Sequence, residues 1–403
     1  MKAVKFLLAL PMIHQSTLAT DMYNSCKHPA DCELYGSSQG ATRTGDELRA
    51  EEALFVTPFD CSNMLSCFGA SASLHPSLDP IALPQHIVAA IKEKVVEHQV
   101  LVFRKLGQNL SLADHVQWSQ QFGPIDSEVS RPPRYVDAGV HVSSIHDGKG
   151  SSQNVTQAAI VEARKSQLDN GEPPEVFKVV TRENDTLSFG EGWHTDLTFL
   201  QQPPDFATVI MRQASTPGTG ETGYLNALDL FSSLPDSIKK RLWGCWARHS
   251  DNAGRFAWHP SVRVTNGRPA LFVNRHFTKT ISCKRDGGSV GFDSYEEDPD
   301  LLEYLYDHLI ARADNASLTL AWENGDLGMW DERTTQHAAV HDYIGQAREL
   351  HRVLISPLPG SPFSSGLARP VDAKPPRVSR WIPSMVTFEE LVHRVGDQAT
   401  TST

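Results

Sequence analysis

"SLTLAWENGDLGMWDERTTQHAAV", residues 317–340, sets two short apolar runs on either side of "ENGD". Runs of this length bounded by turn formers read as buried strands. Asn324-Gly325 tolerates positive φ, so "SLTLAW" and "LGMW" are expected to pair as a hairpin. Downstream, "ELHRVLISPL" gives a last strand, and upstream "FATVIMRQ" and "PALFVNRHF" give two more. Between those two, "DLFSSLPDSIKKRLWGCW" reads as helical. A second helix is signalled by Asp298 as N-cap, Pro299 in the first turn, and Leu301, Leu302, Leu305 and Leu309 on one face. Earlier, "PQHIVAAIKEKVVEHQ" spaces Ile87, Val88, Ile91, Val95 and Val96 as a helix does, and "QVLVFRKL" follows as a buried strand. Many short strands with a few surrounding helices predict a mainly β fold, a sandwich or jelly roll.

The bulk numbers fit that reading. The chain has 403 residues, 40% hydrophobic and 21% charged, as in a globular protein. Its net charge of −11 comes without a basic stripe, so nucleic acid is not an expected partner. No apolar run reaches the roughly 18–20 residues of a membrane span. "MKAVKFLLALPMIHQSTLAT" has the basic start and short apolar core of a weak targeting signal, yet Pro11 interrupts it, and the cytoplasm is the default expectation. Six cysteines match no zinc spacing. Residues 1–75 read as a tail or covering segment, 76–365 as the ordered domain and 366–403 as an extension. Within the domain, the polar stretch 144–186 is a candidate lid.

Chemistry enters with "GEGWHTDLTF", residues 190–199. On a strand, His194 and Asp196 would share one face and could grip one ion. Such a pair is common by chance and gains meaning only from "MWDERTTQHAAVHDYIGQARELHRVLI", residues 329–355, which adds His337, His341, Arg348 and Arg352. Two histidines and one carboxylate form the facial triad of non-haem Fe(II) oxygenases, leaving positions open for a co-substrate and O2. Spacing alone leaves His337 and His341 both open as the second histidine. An arginine nearby would hold the far carboxylate of a 2-oxo acid by bidentate pairing.

Together, "WHTDLTF", "GTGETGYLNALDLFSSLP", "HPSVRVTNGRPALFVNRHFT" and "MWDERTTQHAAVHDY…ARELHR" resemble the taurine/2,4-D family of Fe(II)- and 2-oxoglutarate-dependent dioxygenases, over roughly residues 84–358. The resemblance implies a double-stranded β-helix, or jelly-roll, core with helices around it. It implies His194, Asp196 and His337 as iron ligands, and Thr222 and Arg348 as contacts to 2-oxoglutarate. Arg352 would grip the anionic head of the substrate or brace 2-oxoglutarate. The implied reaction converts 2-oxoglutarate and O2 to succinate and CO2 while oxidising an unactivated C–H. Gly190 stands where the taurine enzymes carry an asparagine, which argues for a different small carboxylate or sulfonate. Members of such families often form homo-oligomers.

Other readings compete. "GTGETG", residues 218–223, is literally G-x-G-x-x-G, the fingerprint of a nicotinamide enzyme, but that needs a strand running straight into it and a parallel βαβ unit around it. A ligand-binding protein without turnover on the same fold is the other alternative. "HAAVH" has zinc-helix spacing but lacks the catalytic glutamate. His249, His259 and His276 read as hydrogen-bonded structural histidines, Trp193 as packing, and His341 and Asp342 as groups that orient the site.

Overall fold

The computed structural model describes residues 48–60, 67–125, 167, 169–181, 183, 192–251, 254–284, 295–343 and 345–357. The amino-terminal signal candidate and the carboxy-terminal extension lie outside these residues. In chain order the elements are α1 (Ala50–Ala53), β1 (Leu54–Pro58), β2 (Ala70–Leu74), α2 (Gln85–His98), β3 (Val100–Phe103), α3 (Leu112–Gln120), β4 (Phe177–Thr181), β5 (Phe206–Gln213) and β6 (Thr222–Asn226). Then come α4 (Ala227–Ser232), α5 (Asp236–Leu242), β7 (Cys245–Ser250), β8 (Phe256–Pro260), β9 (Val262–Thr265), β10 (Arg268–Leu271), β11 (Thr278–Lys284) and β12 (Tyr295–Glu297). The described part closes with α6 (Pro299–Ala316), β13 (Leu318–Leu320), β14 (Leu327–Asp331), β15 (Thr335–Ala339) and β16 (Arg348–Ile355).

A seven-stranded sheet, ordered β1-β2-β3-β14-β5-β16-β4, forms the larger layer. A three-stranded sheet, β13-β6-β15, faces it, and the set β12-β11-β7-β8 and the pair β9-β10 complete the β structure among the described residues. Alternation along the strands decides what goes where. In β3, Leu101 and Phe103 pack with Ile87, Val88, Ile91 and Val95 of α2 and with Trp118 of α3. Val100 and Val102 point the other way and meet Tyr224, Leu318 and Leu320 of the three-stranded sheet, with Val209, Trp330 and Leu354. Both faces of the large sheet are thus covered, which is why its inner strands read as continuous apolar runs.

α6 follows its signals. The Asp298 carboxylate accepts the Leu301 N–H at 3.1 Å, and Leu301, Leu302, Leu305 and Leu309 bury against Leu225, Phe231 and Ile281. Leu305 is fully buried, so Leu305→Ala should cost roughly 2–5 kcal/mol.

Elsewhere the structure departs from the sequence reading. β13 pairs with β6, whereas β14 pairs with β3 and β5, so "ENGD" is no hairpin. It carries the chain from one sheet to the other. Gly325 has φ +86°, with Gln108 so close that a Cβ would sit 2.7 Å from its side chain, and Asn324 Oδ1 accepts the Ala214 N–H at 2.7 Å. Asn-Gly fixes a reversal; burial of Leu318 and Leu320 on the inner face chooses the partner strand. In "PALFVNRHF" the strand ends at Leu271, because Asn274 Oδ1 accepts the Phe277 N–H and closes a turn. The helical stretch at 229–246 breaks at Pro235 into α4 and α5, and Cys245 already starts β7.

Two further differences concern extent. β1 and β2, inside the segment read as tail or covering, are strands of the large sheet. Of the candidate lid 144–186, only 167, 169–181 and 183 are described, and Phe177–Thr181 is β4, paired with β16. Cys245 and Cys283, opposite one another on β7 and β11, are joined by a disulfide. Among the described residues no helix is long and apolar enough to cross a membrane.

Candidate metal centre

His194 and Asp196 do not lie on a continuous strand. His194 makes one isolated antiparallel bridge to His337, with N–H···O=C bonds of 3.0 and 2.7 Å in the two directions. The chain then turns at once, with Leu197 at φ +53°. This bridge joins the loop carrying the first two candidates to β15, which carries the third. Donor atoms of His194, Asp196 and His337 all lie within 4.8 Å of one another, and all three residues are buried. His341 is not among them, so the choice that spacing left open falls to His337.

The surroundings prepare each side chain. His194 Nδ1 lies 2.8 Å from the Gly192 carbonyl, to which it donates, so Nε2 carries the free lone pair. Burial lowers His194 to about 3 and His337 to about 4, which keeps both imidazoles neutral. For Asp196 burial pushes upward, but opposing effects led by the charge of Arg352 outweigh it and hold the carboxyl below its ordinary range. Arg352 Nη1 donates to both Asp196 oxygens, at 2.7 and 2.8 Å. The Asp196 N–H donates to Glu332 Oε2 at 3.0 Å, and Trp330 Nε1 donates to the other Glu332 oxygen at 2.7 Å. Burial pushes Glu332 well above the carboxylate range, and the charge of Asp196 adds to it.

Behind the metal loop lies a buried polar network. Thr198 bonds His249 Nδ1 at 2.9 Å and Asn274 Nδ2 at 3.2 Å, while His259 Nε2 donates to the Thr198 and Leu200 carbonyls. His249 and His259 are therefore structural, as read. His276 is closer to the chemistry than expected: its ring centroid is 5.4 Å from that of His194. Trp193 packs over Gly223, where a Cβ would come within 2.7 Å of the indole.

Thr222 and Arg348 meet the same interior. Even-numbered residues of β16 point inward, so Arg348 and Arg352 share a face with Leu354. Arg348 is 2% exposed; its Nε donates to the Gly220 carbonyl and its guanidinium lies over the Tyr343 ring. Burial lowers its pKa, and among the described residues no carboxylate pairs with it. Thr222 Oγ1 accepts from Trp322 Nε1 at 2.9 Å, leaving its own proton to donate.

The glycines of "GTGETG" serve this pocket. Gly220 has φ +63° and lies so near Arg348 that a Cβ would come 3.3 Å from the side chain. Its N–H donates to Asp342 at 2.7 Å. The loop joins two different sheets and runs into a strand, β6, so the dinucleotide reading fails for want of a helix N-terminus. "HAAVH" lies on and just beyond β15, which removes the zinc helix.

Do these residues fit a metal and an anionic co-substrate? His194, Asp196 and His337 supply the donor set, and three atoms there, His337 Nδ1, Arg348 Nη2 and Arg352 Nε, have no hydrogen-bond partner, as do buried atoms elsewhere in the fold. A two-histidine, one-carboxylate set beside a buried guanidinium fits a metal with an anionic co-substrate. The sequence reading missed Glu332, Trp330 and Tyr224. Tyr224 alternates with Thr222 and could have been placed on its face, but nothing in "WDER" separates Asp331, paired with Arg333, from Glu332.

A mainly β protein with a buried two-histidine, one-carboxylate donor set and a buried arginine beside it is the class defined so far. The family described as taurine catabolism dioxygenase TauD, TfdA family, matches residues 62–354, and the chain belongs to it. An α-ketoglutarate-dependent dioxygenase, cnsP, of Penicillium expansum is 34% identical over 191 residues, 42% of this chain and 48% of that protein. An α-ketoglutarate-dependent sulfate ester dioxygenase of Pseudomonas putida is 29% identical over 191 residues, 41% of this chain and 59% of its own. The chain thus spans about half the length of the curated relatives it matches. A taurine dioxygenase crystal structure from Burkholderia xenovorans superposes with a TM-score of 0.51 at 24% identity, over 75% of this chain and 91% of that one, a likeness of fold.

Proposed function

We propose that this chain is an Fe(II)- and 2-oxoglutarate-dependent dioxygenase that oxidises an unactivated C–H of a small anionic molecule. The observation that carries this reading is the convergence of His194, Asp196 and His337 within 4.8 Å, in a chain of this family. The facing sheets are read as a double-stranded β-helix core, and β1 and β2 as part of the catalytic domain.

His194, Asp196 and His337 would hold the iron, and Arg348 with Thr222 the distal carboxylate of 2-oxoglutarate. When bound, ferrous iron and 2-oxoglutarate supply the electrons that reduce O2, with succinate and CO2 formed and one oxygen atom passed to the substrate. The protein's part is orientation. The Gly192 carbonyl fixes the His194 tautomer, and Glu332 and Arg352 fix Asp196 from two sides. Trp330 and Tyr224, edge to face at 5.5 Å, close the interior to water below His337.

Arg352 is the proposed anchor for a substrate carboxylate, sulfonate or sulfate ester, the last being what the Pseudomonas relative's name states for that enzyme. Its guanidinium is shared with Asp196, so an anion competes with that carboxylate until a metal answers its charge. Anion binding should therefore follow metal loading.

The test incubates Fe(II)-loaded protein with 2-oxoglutarate and a panel of small sulfonates, sulfate esters and carboxylates, reading succinate. At least one anionic compound should raise succinate above the substrate-free level, and Arg352→Ala should abolish that rise. A rise with neutral compounds alone overturns the anion anchor; no succinate at all from metal-loaded protein overturns the enzyme.

A further inference from the structure

Tyr224 is fully buried, and its hydroxyl has no hydrogen-bond partner. Buried phenols nearly always find a partner, so an orphaned one asks what it is for. Its position answers in part. It stands two residues after Thr222 on β6, hence on the same inward face, and directly opposite His337 in the register with β15. Its ring is 5.5 Å from Trp330 and 6.3 Å from His337. Its neighbour two residues back, Thr222, stands on the same face, and Arg348 comes from the sheet opposite.

Arg348 Nη2 is also without a partner, as is the hydroxyl of Tyr343, whose ring lies under that guanidinium. A guanidinium donates only, whereas a phenol can donate or accept, yet Tyr224 and Arg348 Nη2 do not pair with each other. A two-oxygen anion would take a hydrogen bond from both. Resting on the proposed role of Arg348, we infer that Tyr224 is a further co-substrate contact, its hydroxyl donating to the distal carboxylate of 2-oxoglutarate that Arg348 holds. Thr222 and Tyr224 then present two hydroxyls from one strand, and Arg348 a guanidinium from the sheet that faces it.

Tyr224→Phe tests this, since it removes one oxygen and keeps the ring that packs on Trp330. Calorimetry on Mn(II)-loaded protein, which binds without turning over, should show 2-oxoglutarate affinity falling about tenfold, as for loss of one hydrogen bond to a charged group. Affinity for 2-oxovalerate, which lacks the distal carboxylate, should be unchanged. Arg348→Ala serves as control and should weaken 2-oxoglutarate more strongly. If Tyr224→Phe binds 2-oxoglutarate like the parent while Arg348→Ala does not, the tyrosine contact is wrong and the co-substrate site stands. Equal weakening of both 2-oxo acids also overturns it, because the hydroxyl then serves the metal end or the fold. A parent protein that binds Mn(II) but not 2-oxoglutarate overturns both readings.

Discussion

At one end of β16, Arg352 holds both oxygens of Asp196 at 2.7 and 2.8 Å; at the other, Arg348 donates to a backbone carbonyl at 3.1 Å and lies over the Tyr343 ring, with no carboxylate beside it among the described residues. The two are the same residue type, four positions apart, on the same face of one strand. Their difference is one of surroundings: the first has a carboxylate as counter-charge, and the second is a buried charge with none among the described residues. A buried cation without a counter-charge is costly, so its persistence marks a ligand site, whereas a paired one is explained by its pair.

The largest expected effect breaks the paired end. Asp196→Ala removes a metal donor and strands Arg352, so it should abolish Mn(II) binding and destabilise the metal-free protein by about 3–5 kcal/mol in urea unfolding. Unchanged stability would mean that the pair does not hold in solution. Next, Arg348→Met and Arg352→Met separate the two ends directly. Arg348→Met should leave metal-free stability unchanged or higher but cut 2-oxoglutarate affinity by about a hundredfold, as for a lost charge-assisted pair. Arg352→Met should do the opposite, lowering stability while leaving 2-oxoglutarate affinity nearer the parent's.

A pH series sharpens the comparison, because neither guanidinium titrates in the acid range and the slope must come from other groups. Burial lowers His115 to about 3 and His259 to about 4, alongside His194 and His337. Between the unfolded histidine value of about 6.5 and those folded values, each of these four histidines binds more protons in the unfolded chain, while Glu332, raised by burial, opposes them as a single group. Metal-free protein should therefore lose thermal stability as pH falls from 6.5 toward 4. Asp196, lowered rather than raised, contributes stability that is lost only at still lower pH, through its folded value. A flat melting temperature across pH 4 to 6.5 would contradict this burial. The smallest effect belongs to Gly220→Ala: at φ +63°, and with a Cβ pressing on Ser215 Oγ, it should cost about 1–3 kcal/mol and shift the loop that Arg348 grips, weakening 2-oxoglutarate a few-fold.

Much of this was legible along the chain, where one local force dominates. α2 and α6 follow their apolar spacing and caps, and the buried strands follow their β-branched runs, because burial of one stripe or both faces leaves a periodic trace. The three metal candidates were legible as residue types in motif order. Less so was their geometry: His194 and Asp196 converge through a single bridge and a left-handed turn, not along a strand. β1 and β2 escaped notice because "LFVTP" and "ASASL" alternate only weakly, and "ENGD" misled because a reversal does not name its neighbour.

The sequence by itself determined the elements, the family and the donors offered, since these rest on side-chain chemistry and short-range backbone preference. Only the tertiary structure decided which sheet each strand joins, which arginine is answered and which is left open, and that Glu332 and Tyr224 face the site. Those outcomes depend on which distant groups share a low-dielectric interior, where every polar atom must find a partner or a ligand, and no local pattern of residues encodes that.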